Sequence, residues 1–234
     1  MSAMGARERM LGRLRAAKAA APAAVETLDA RIHAHYDGRR EERSPAQLAD
    51  AMQRALSASH AEVWRSDAAS WPALLAKMLA AHGVRRLLLD PAGAEGAALA
   101  RALPAGIAAL PFARPLEEWK GELFDSVDAG FTLARCGIAA TGTLVLAPDA
   151  ASPRTVSLVP PLHVALVYAD TLHADLHAAC RAERWADGMP SNLVLASGPS
   201  KTSDIQQTLA YGAHGPRWMW VIIVDANAAP GASS

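Results

Sequence analysis

Residues 71–110 read WPALLAKMLAAHGVRRLLLDPAGAEGAALARALPAGIAAL, and this stretch contains the alternation that decides the fold. Its apolar spacing predicts helices and short apolar strands in turn, at 71–81, 86–89, 94–103 and 107–110. Gly83 stands where a helix stop is expected. Helices interleaved with short, nearly all-apolar strands are typical of a sheet that is covered on both faces. The stretch therefore predicts an α/β protein.

The same alternation continues on both sides of this stretch. Ser44-Pro45-Ala46-Gln47 predicts a helix start, because Ser44 can cap, Pro45 fits the first turn and Gln47 can complete a capping box. Further strands are predicted at 61–64, 129–133, 142–146, 163–168, 193–196 and 218–225. Further helices are predicted at 116–124, 171–184 and 202–209. Residues 1–43 are predicted to form an N-terminal helix and an exposed linker, and residues 44–234 one α/β domain.

Composition narrows the classes of function. Among 234 residues, 23 Lys and Arg balance 23 Asp and Glu, so the chain lacks the broad positive field that nonspecific nucleic-acid binding needs. The two cysteines, Cys136 and Cys180, are far apart and form no CxxC pair. An all-cysteine iron–sulfur cluster needs more thiolates than these two, so no cluster is expected within this chain.

No stretch of the sequence predicts a membrane span or a secretory signal. The apolar run at 218–224 is far shorter than the roughly 20 residues that a transmembrane helix requires. The basic start of the chain has no apolar h-region. A cytoplasmic protein with reduced thiols is the expected class.

The segment 197–205, SGPSKTSDI, is the most informative motif. It lies between a predicted strand and a predicted helix, where free backbone N–H groups point towards an anion. Gly198, Ser200 and Thr202 are candidate anion-binding residues, and Lys201 adds a positive charge. The segment is not a Walker A loop, because Ser200 stands where that motif has glycine. A plain helix N-cap formed by Ser200 or Thr202 is an equal alternative.

Two further motifs contribute candidates for the same site. The turn Gly212-Ala213-His214-Gly215-Pro216 presents His214 as a candidate anion ligand or general acid/base, although for an isolated loop histidine a structural turn is the favoured interpretation. Thr141 and Thr143 flank a glycine at the entry to an apolar strand, and their hydroxyls bind a ligand or satisfy backbone groups.

Two of the histidines have a spacing that suits metal binding. His173 and His177 are spaced i, i+4 on a predicted helix, which suits a metal. No third ligand is evident in the sequence, so no metal site is predicted.

Together, these motifs resemble the LUD-domain family, specifically the lactate-utilisation protein C group. The resemblance covers residues 45–225 and depends on Thr-Gly-Thr, on Pro-Pro-x-His at 160–163, and on the 198–205 and 212–216 segments in this order. It implies a fold like that of the NagB/ribose-5-phosphate isomerase/CoA-transferase group, with an α/β sheet and helices on both faces. It also implies a role in oxidising L-lactate to pyruvate with iron–sulfur protein partners, which would hold the clusters.

Departures from the family pattern affect the expected chemistry. The family usually has Glu before Thr-Gly-Thr, where this chain has Ala140, so no catalytic residue is assigned. Lys201 stands where the family often has Arg. Lysine keeps the positive charge but cannot make the paired hydrogen bonds of a guanidinium group. Two functions stay open: an accessory or ligand-binding subunit, and a CoA-transferase- or isomerase-like enzyme acting on a CoA- or phosphate-bearing small molecule.

The predicted anion site joins two loops. The helix starting near residue 202 would supply N–H groups, and His214 would approach from the 212–216 loop. This arrangement requires the final strand to lie beside strand 193–196, which the resemblance suggests and the spacing does not show.

Overall fold

The structure is a computed structural model that describes residues 5–17, 24–38, 41–203 and 209–225. The chain divides into two compact units, Met1–Glu42 and Arg43–Ser234. In the first unit lie helices α1 (Ala6–Ala16) and α2 (Val25–Asp37). The sequence predicted one helix and a linker here, and α2 corrects that prediction.

The second unit alternates helices and strands. Its helices are α3 (Pro45–Ala58), α4 (Trp71–His82), α5 (Ala94–Ala102), α6 (Leu116–Ser126), α7 (Thr155–Leu158) and α8 (Leu176–Ala182), with a 3-10 turn at Ala169–Thr171. Its strands are β1 (Glu62–Ser66), β2 (Arg86–Leu88), β3 (Ala108–Leu110), β4 (Ala129–Leu133), β5 (Cys136–Ile138), β6 (Thr143–Leu146), β7 (Leu162–Tyr168), β8 (Leu172–His173), β9 (Val194–Ala196), β10 (Lys201–Ser203), β11 (Leu209–Tyr211) and β12 (Trp218–Val224).

Six parallel strands form the central sheet, in the order β1-β12-β7-β4-β2-β3. A second sheet has the order β8-β5-β6-β9, and β10 pairs with β11 as an antiparallel hairpin. The parallel central sheet flanked by helices confirms the predicted α/β class.

The strand β7 shows how the central sheet is buried on both faces. Leu162, Val164 and Leu166 pack with α4 and α5, whereas Ala165 and Val167 face α3 and β6. Because side chains alternate across a strand, one apolar run supplies both cores. The described part of the chain contains no helix long and apolar enough to cross a membrane.

The start of α3 is capped as the sequence predicted. Gln47 donates its backbone N–H to Ser44 Oγ at 3.3 Å, and Ser44 donates its own to Gln47 Oε1 at 2.8 Å. Pro45 occupies the first turn, where its missing N–H costs nothing. Two free N–H groups of the helix end are thereby satisfied.

Replacing Ser44 by alanine should lower the free energy of unfolding by about 1 kcal/mol, because the cap is lost. Urea denaturation of the purified protein measures the change. Ser57→Ala is the control, since Ser57 lies on the exposed side of the same helix. Equal stability of Ser44→Ala and Ser57→Ala would contradict a contribution from the cap.

Two predicted helices differ in the structure. The segment predicted as a helix at 202–209 contains the ends of the β10–β11 hairpin, in which Thr202 pairs with Ala210, and residues 204–208 lie outside the described residues. A short apolar pattern does not distinguish a strand from a helix, and the pairing decides it. The helix predicted at 171–184 begins only at Leu176, after β8, where Asp175 accepts from Ala178 N at 2.7 Å.

Candidate functional site

The carboxyl ends of β2 and β4 open into a cleft of about 330 Å³. In open α/β sheets, ligands bind in the crevice outside the carboxyl ends of the strands. The residues that line the cleft come from the ends of β2, β4 and β6, from α5 and from the segment around α7; the polar ones are Asp90, Glu95, Thr132, Arg135, Asp149, Ser152, Arg154 and Ser157. The cleft is the candidate ligand site of this structure.

Two glycines allow the close backbone contacts that shape the cleft. A Cβ on Gly130 would lie 2.0 Å from the carbonyl oxygen of Val156, and one on Gly96 would lie 1.8 Å from that of Asp90. Only glycine leaves room for such approaches. The close packing of α7 on β4 holds Arg154 at the cleft.

Arg154 is the charged side chain best placed to hold a bound anion. Arg135 is paired with Glu183, Glu95 accepts from the Tyr168 hydroxyl at 3.0 Å, and Asp149 accepts from backbone amides of its own loop. Within the described ranges, the exposed guanidinium of Arg154 makes no hydrogen bond or ion pair. Its donors are therefore available to a carboxylate or phosphate.

A buried polar pair lies beneath the cleft floor. Thr132 Oγ1 and His163 Nε2 are 2.8 Å apart, and His163 is only 2% exposed. Burial lowers the pKa of His163 to about 4, so its imidazole is neutral at physiological pH. The pair satisfies two buried polar groups, which indicates a structural role for His163.

The two threonines of the predicted anion site lie in a line of hydroxyl groups. Thr141 Oγ1 is 2.7 Å from Thr143 Oγ1, which is 2.7 Å from Ser197 Oγ. The antiparallel pairing of β6 with β9 brings them together. The Thr-Gly-Thr motif thus adjoins Gly198.

The remaining predicted residues lie near this line. Gly198 and Lys201 border a shallow depression with Ser59 and His60, and its volume is about 420 Å³. A Cβ on Gly198 would be 2.6 Å from the carbonyl oxygen of Ser59, and the φ angle of Gly198 is +151°. Glycine therefore permits the close contact with the end of α3.

The loops at 198–203 and 212–216 meet through their backbones. Ser200 donates its N–H to the carbonyl oxygen of Pro216 at 2.8 Å, and Gly212 donates its N–H to that of Ser200 at 3.0 Å. His214 is exposed, and no hydrogen bond or ion pair joins its side chain to the other described residues. The structure thus brings Ser200 to the second loop and leaves His214 in solvent.

Two assumptions behind the predicted anion site are wrong. No helix begins at Thr202, which lies in β10, so the helix-terminus N–H groups are missing there. The final strand β12 lies between β1 and β7 in the central sheet, whereas β9 pairs with β6 in the second sheet. The loops meet because the hairpin, and not a shared sheet edge, joins them.

The cleft and the depression lie at opposite ends of β6, which begins at Thr143 and ends at Leu146. The sequence prediction did not include the cleft residues Asp90, Thr132 and Arg154. The signal for the first two is their place at the end of an apolar strand, where parallel sheets bind ligands. Arg154 comes from a separate segment that only the fold brings to this edge.

The family model and the similar proteins indicate the same family. The family model of the LUD domain matches residues 49–224. The chain is 41% identical over 173 residues to an uncharacterized protein of Neisseria meningitidis, covering 73% of this chain and 74% of that protein. It is 35% identical over 162 residues to Lactate utilization protein C of Deinococcus radiodurans, covering 67% and 70%.

Another relative and one solved structure extend this result. Lactate utilization protein C of Shouchella clausii is 35% identical over 107 residues, which cover 44% of this chain and only 47% of that protein. The crystal structure of a DUF162 family protein from Deinococcus radiodurans superposes with a TM-score of 0.58 at 26% identity, covering 78% of this chain and 99% of that one. The chain belongs to the LUD domain family.

Proposed function

We propose that the protein takes part in L-lactate utilisation, as an accessory or ligand-binding component of the oxidation of lactate to pyruvate. The observation that carries this proposal is the similarity to proteins named Lactate utilization protein C, from Deinococcus radiodurans and from Shouchella clausii among others. Support from the structure is the cleft at the carboxyl edge of the sheet, which has the size of a small-molecule site.

Iron–sulfur proteins are the partners in this proposal. Electrons from lactate need a redox group, and this chain has two cysteines, of which Cys136 is buried. The clusters would therefore lie on partner proteins, and this chain would need no cluster of its own.

The ligand in this proposal is a small carboxylate, and Arg154 is its principal contact. Arg154 lines the cleft together with the buried Thr132 and Ser157. An arginine fork matches a carboxylate in geometry and charge. The depression at Lys201 is the second place for an anion, as the sequence predicted, although it lacks the helix terminus.

The alternative function, a CoA-transferase- or isomerase-like enzyme, was supported by the fold resemblance and by the Gly198–Ser203 segment, and the second of these no longer supports it. The Gly198–Ser203 segment suggested a phosphate-binding helix start, and the hairpin replaces that helix. Ala140 stands where the family usually has a glutamate. The CoA-transferase- or isomerase-like activity is left with the fold resemblance alone.

Pyruvate or L-lactate should raise the melting temperature of the purified protein, since a ligand that binds only the folded state stabilises it. Arg154→Ala should abolish this shift with little change in the unliganded protein, because the side chain is exposed. Lys201→Ala is the matched control and should retain the shift. Loss of the shift in Lys201→Ala alone would place the ligand in the depression, and no shift in the wild type would refute the carboxylate ligand.

The role itself is tested in cells. Deletion of the gene should abolish growth on L-lactate as the carbon source, and the wild-type gene should restore it. Lactate-dependent dye reduction by purified partner proteins should increase when this chain is added. Normal growth of the deletion strain on lactate would refute the proposed function, whether or not the protein binds a carboxylate.

A further inference from the structure

Three side chains with metal-binding atoms converge in the second sheet. Cys136 lies on β5, His173 on β8, and Glu183 directly follows α8. One donor atom from each, a thiol sulfur, an imidazole nitrogen and a carboxylate oxygen, lies within 4.8 Å of the other two. These residues are separated by up to 47 positions in sequence, so the fold alone assembles them.

The strand pairing explains the convergence. β5 and β8 are parallel neighbours in which Ile138 pairs with His173. Cys136 and Ile138 are two positions apart and therefore share one face of the sheet. That face packs on α8 through Ala179, and the end of α8 brings Glu183 to the two strands.

We propose that Cys136, His173 and Glu183 bind one Zn²⁺ ion. Thiolate, imidazole and carboxylate are the three ligand types that zinc takes from proteins. Hard cations such as Mg²⁺ prefer oxygen ligands alone, so this donor set disfavours them. Three protein ligands leave a fourth position for water or a bound molecule, on the side where His173 is partly exposed.

Arg135 supports the third ligand from outside. Arg135 donates its Nε–H to Oε2 of Glu183. The other carboxylate oxygen of Glu183, Oε1, has no hydrogen-bond partner among the described residues. One oxygen can therefore bind the metal while the other keeps its hydrogen bond with the Arg135 guanidinium, an arrangement typical of ligating carboxylates. Arg135 also lines the cleft, so the zinc site would adjoin the candidate ligand site.

A reactive thiol is the alternative role for Cys136, and its surroundings oppose it. Cys136 is fully buried. Reactive cysteines are solvent-accessible. The sequence predicted no metal site because His173 had no third ligand, and the fold supplies the carboxylate and thiol that were not evident.

Titration of the full-length protein with Co²⁺ tests the site, because cobalt takes the place of zinc and reports its ligands by absorption. The expected result is one equivalent bound, with a thiolate-to-cobalt charge-transfer band that Zn²⁺ removes. Cys136→Ser should abolish the band, and His173→Gln should weaken binding at least roughly 100-fold, more than the loss of an outer-shell partner costs.

Matched variants keep the test decisive. Cys180→Ser and His177→Gln, on the adjacent helix, should leave band and affinity unchanged. Glu183→Gln tests the third ligand without touching the buried strand, should Cys136→Ser fail to fold, and it should weaken binding while the band remains. Absence of a band in the wild type, a band that persists in a folded Cys136→Ser variant, or its loss in Cys180→Ser would overturn the proposal.

Discussion

Replacing Gly96 by alanine should lower the free energy of unfolding by about 3 kcal/mol, because overpacking at this contact involves backbone atoms on both sides. The added Cβ would lie 1.8 Å from the carbonyl oxygen of Asp90 and 2.8 Å from its carbonyl carbon. Neither atom can rotate away as a flexible side chain would. The first turn of α5 or the loop after β2 must move, and both line the cleft.

A second glycine on a helix provides the control. Gly121 lies in α6, and a Cβ there would meet no heavy atom within 4 Å. Gly121→Ala should therefore raise the free energy of unfolding by about 0.5–1 kcal/mol, since alanine favours the helix. Denaturant unfolding of both variants measures the two effects. Equal effects of the two substitutions would show that α5 does not contact the loop after β2 as the structure has it.

Acidification from about pH 7 to about pH 5 should lower the free energy of unfolding by about 2 kcal/mol through His163 alone. Burial lowers the pKa of this imidazole to about 4 in the folded protein, and its pKa in the unfolded chain is about 6.5. In the interval between these values the unfolded chain binds a proton that the native protein does not. Stability is therefore complete above the unfolded value and falls as the pH drops towards 4.

Denaturant unfolding at several pH values measures this dependence. His163→Gln should flatten the curve across the interval, and the difference from the wild type isolates His163 from other titrating groups such as His173, whose pKa is also lowered by burial. His60→Gln is the control, because His60 is exposed. An unchanged slope in His163→Gln would show that His163 is not buried as a neutral group.

Much of the fold was predictable because it depends on local chemistry. The capping box at Ser44 and the left-handed Gly83 that ends α4 are formed within a few residues, and the structure has both. The predicted bounds of β4 agree with the structure, and those of α4 differ by one residue.

The mispredicted elements are those in which pairing overrides a weak local pattern. Thr202 was predicted to lie in a helix at 202–209, but it lies in β10, and its pairing partner Ala210 is outside that predicted helix. β5 was not predicted at all, since a three-residue strand carries little periodicity. β10 and β5 form because a neighbouring strand supplies hydrogen-bond partners that the sequence order does not reveal.

The sequence did not predict the cleft, for the same reason, and its candidate residues lie at the other end of β6. The sequence indicated Thr143 and Gly198 as members of one site, and the β6–β9 pairing does bring their segments together. Arg154 carried no signal, because the contact between α7 and β4 that holds it at the cleft depends on Gly130, distant along the chain.

By itself, the sequence determined the α/β class, the family motifs and the capped and glycine-stopped helices, since these depend on neighbours within a few residues. The tertiary structure decided the strand order, the cleft at the carboxyl ends of β2 and β4, and the meeting of Cys136 with His173 and Glu183. The physical reason is that strand pairing and close backbone contact join residues far apart in sequence, and no local pattern records which partners will meet.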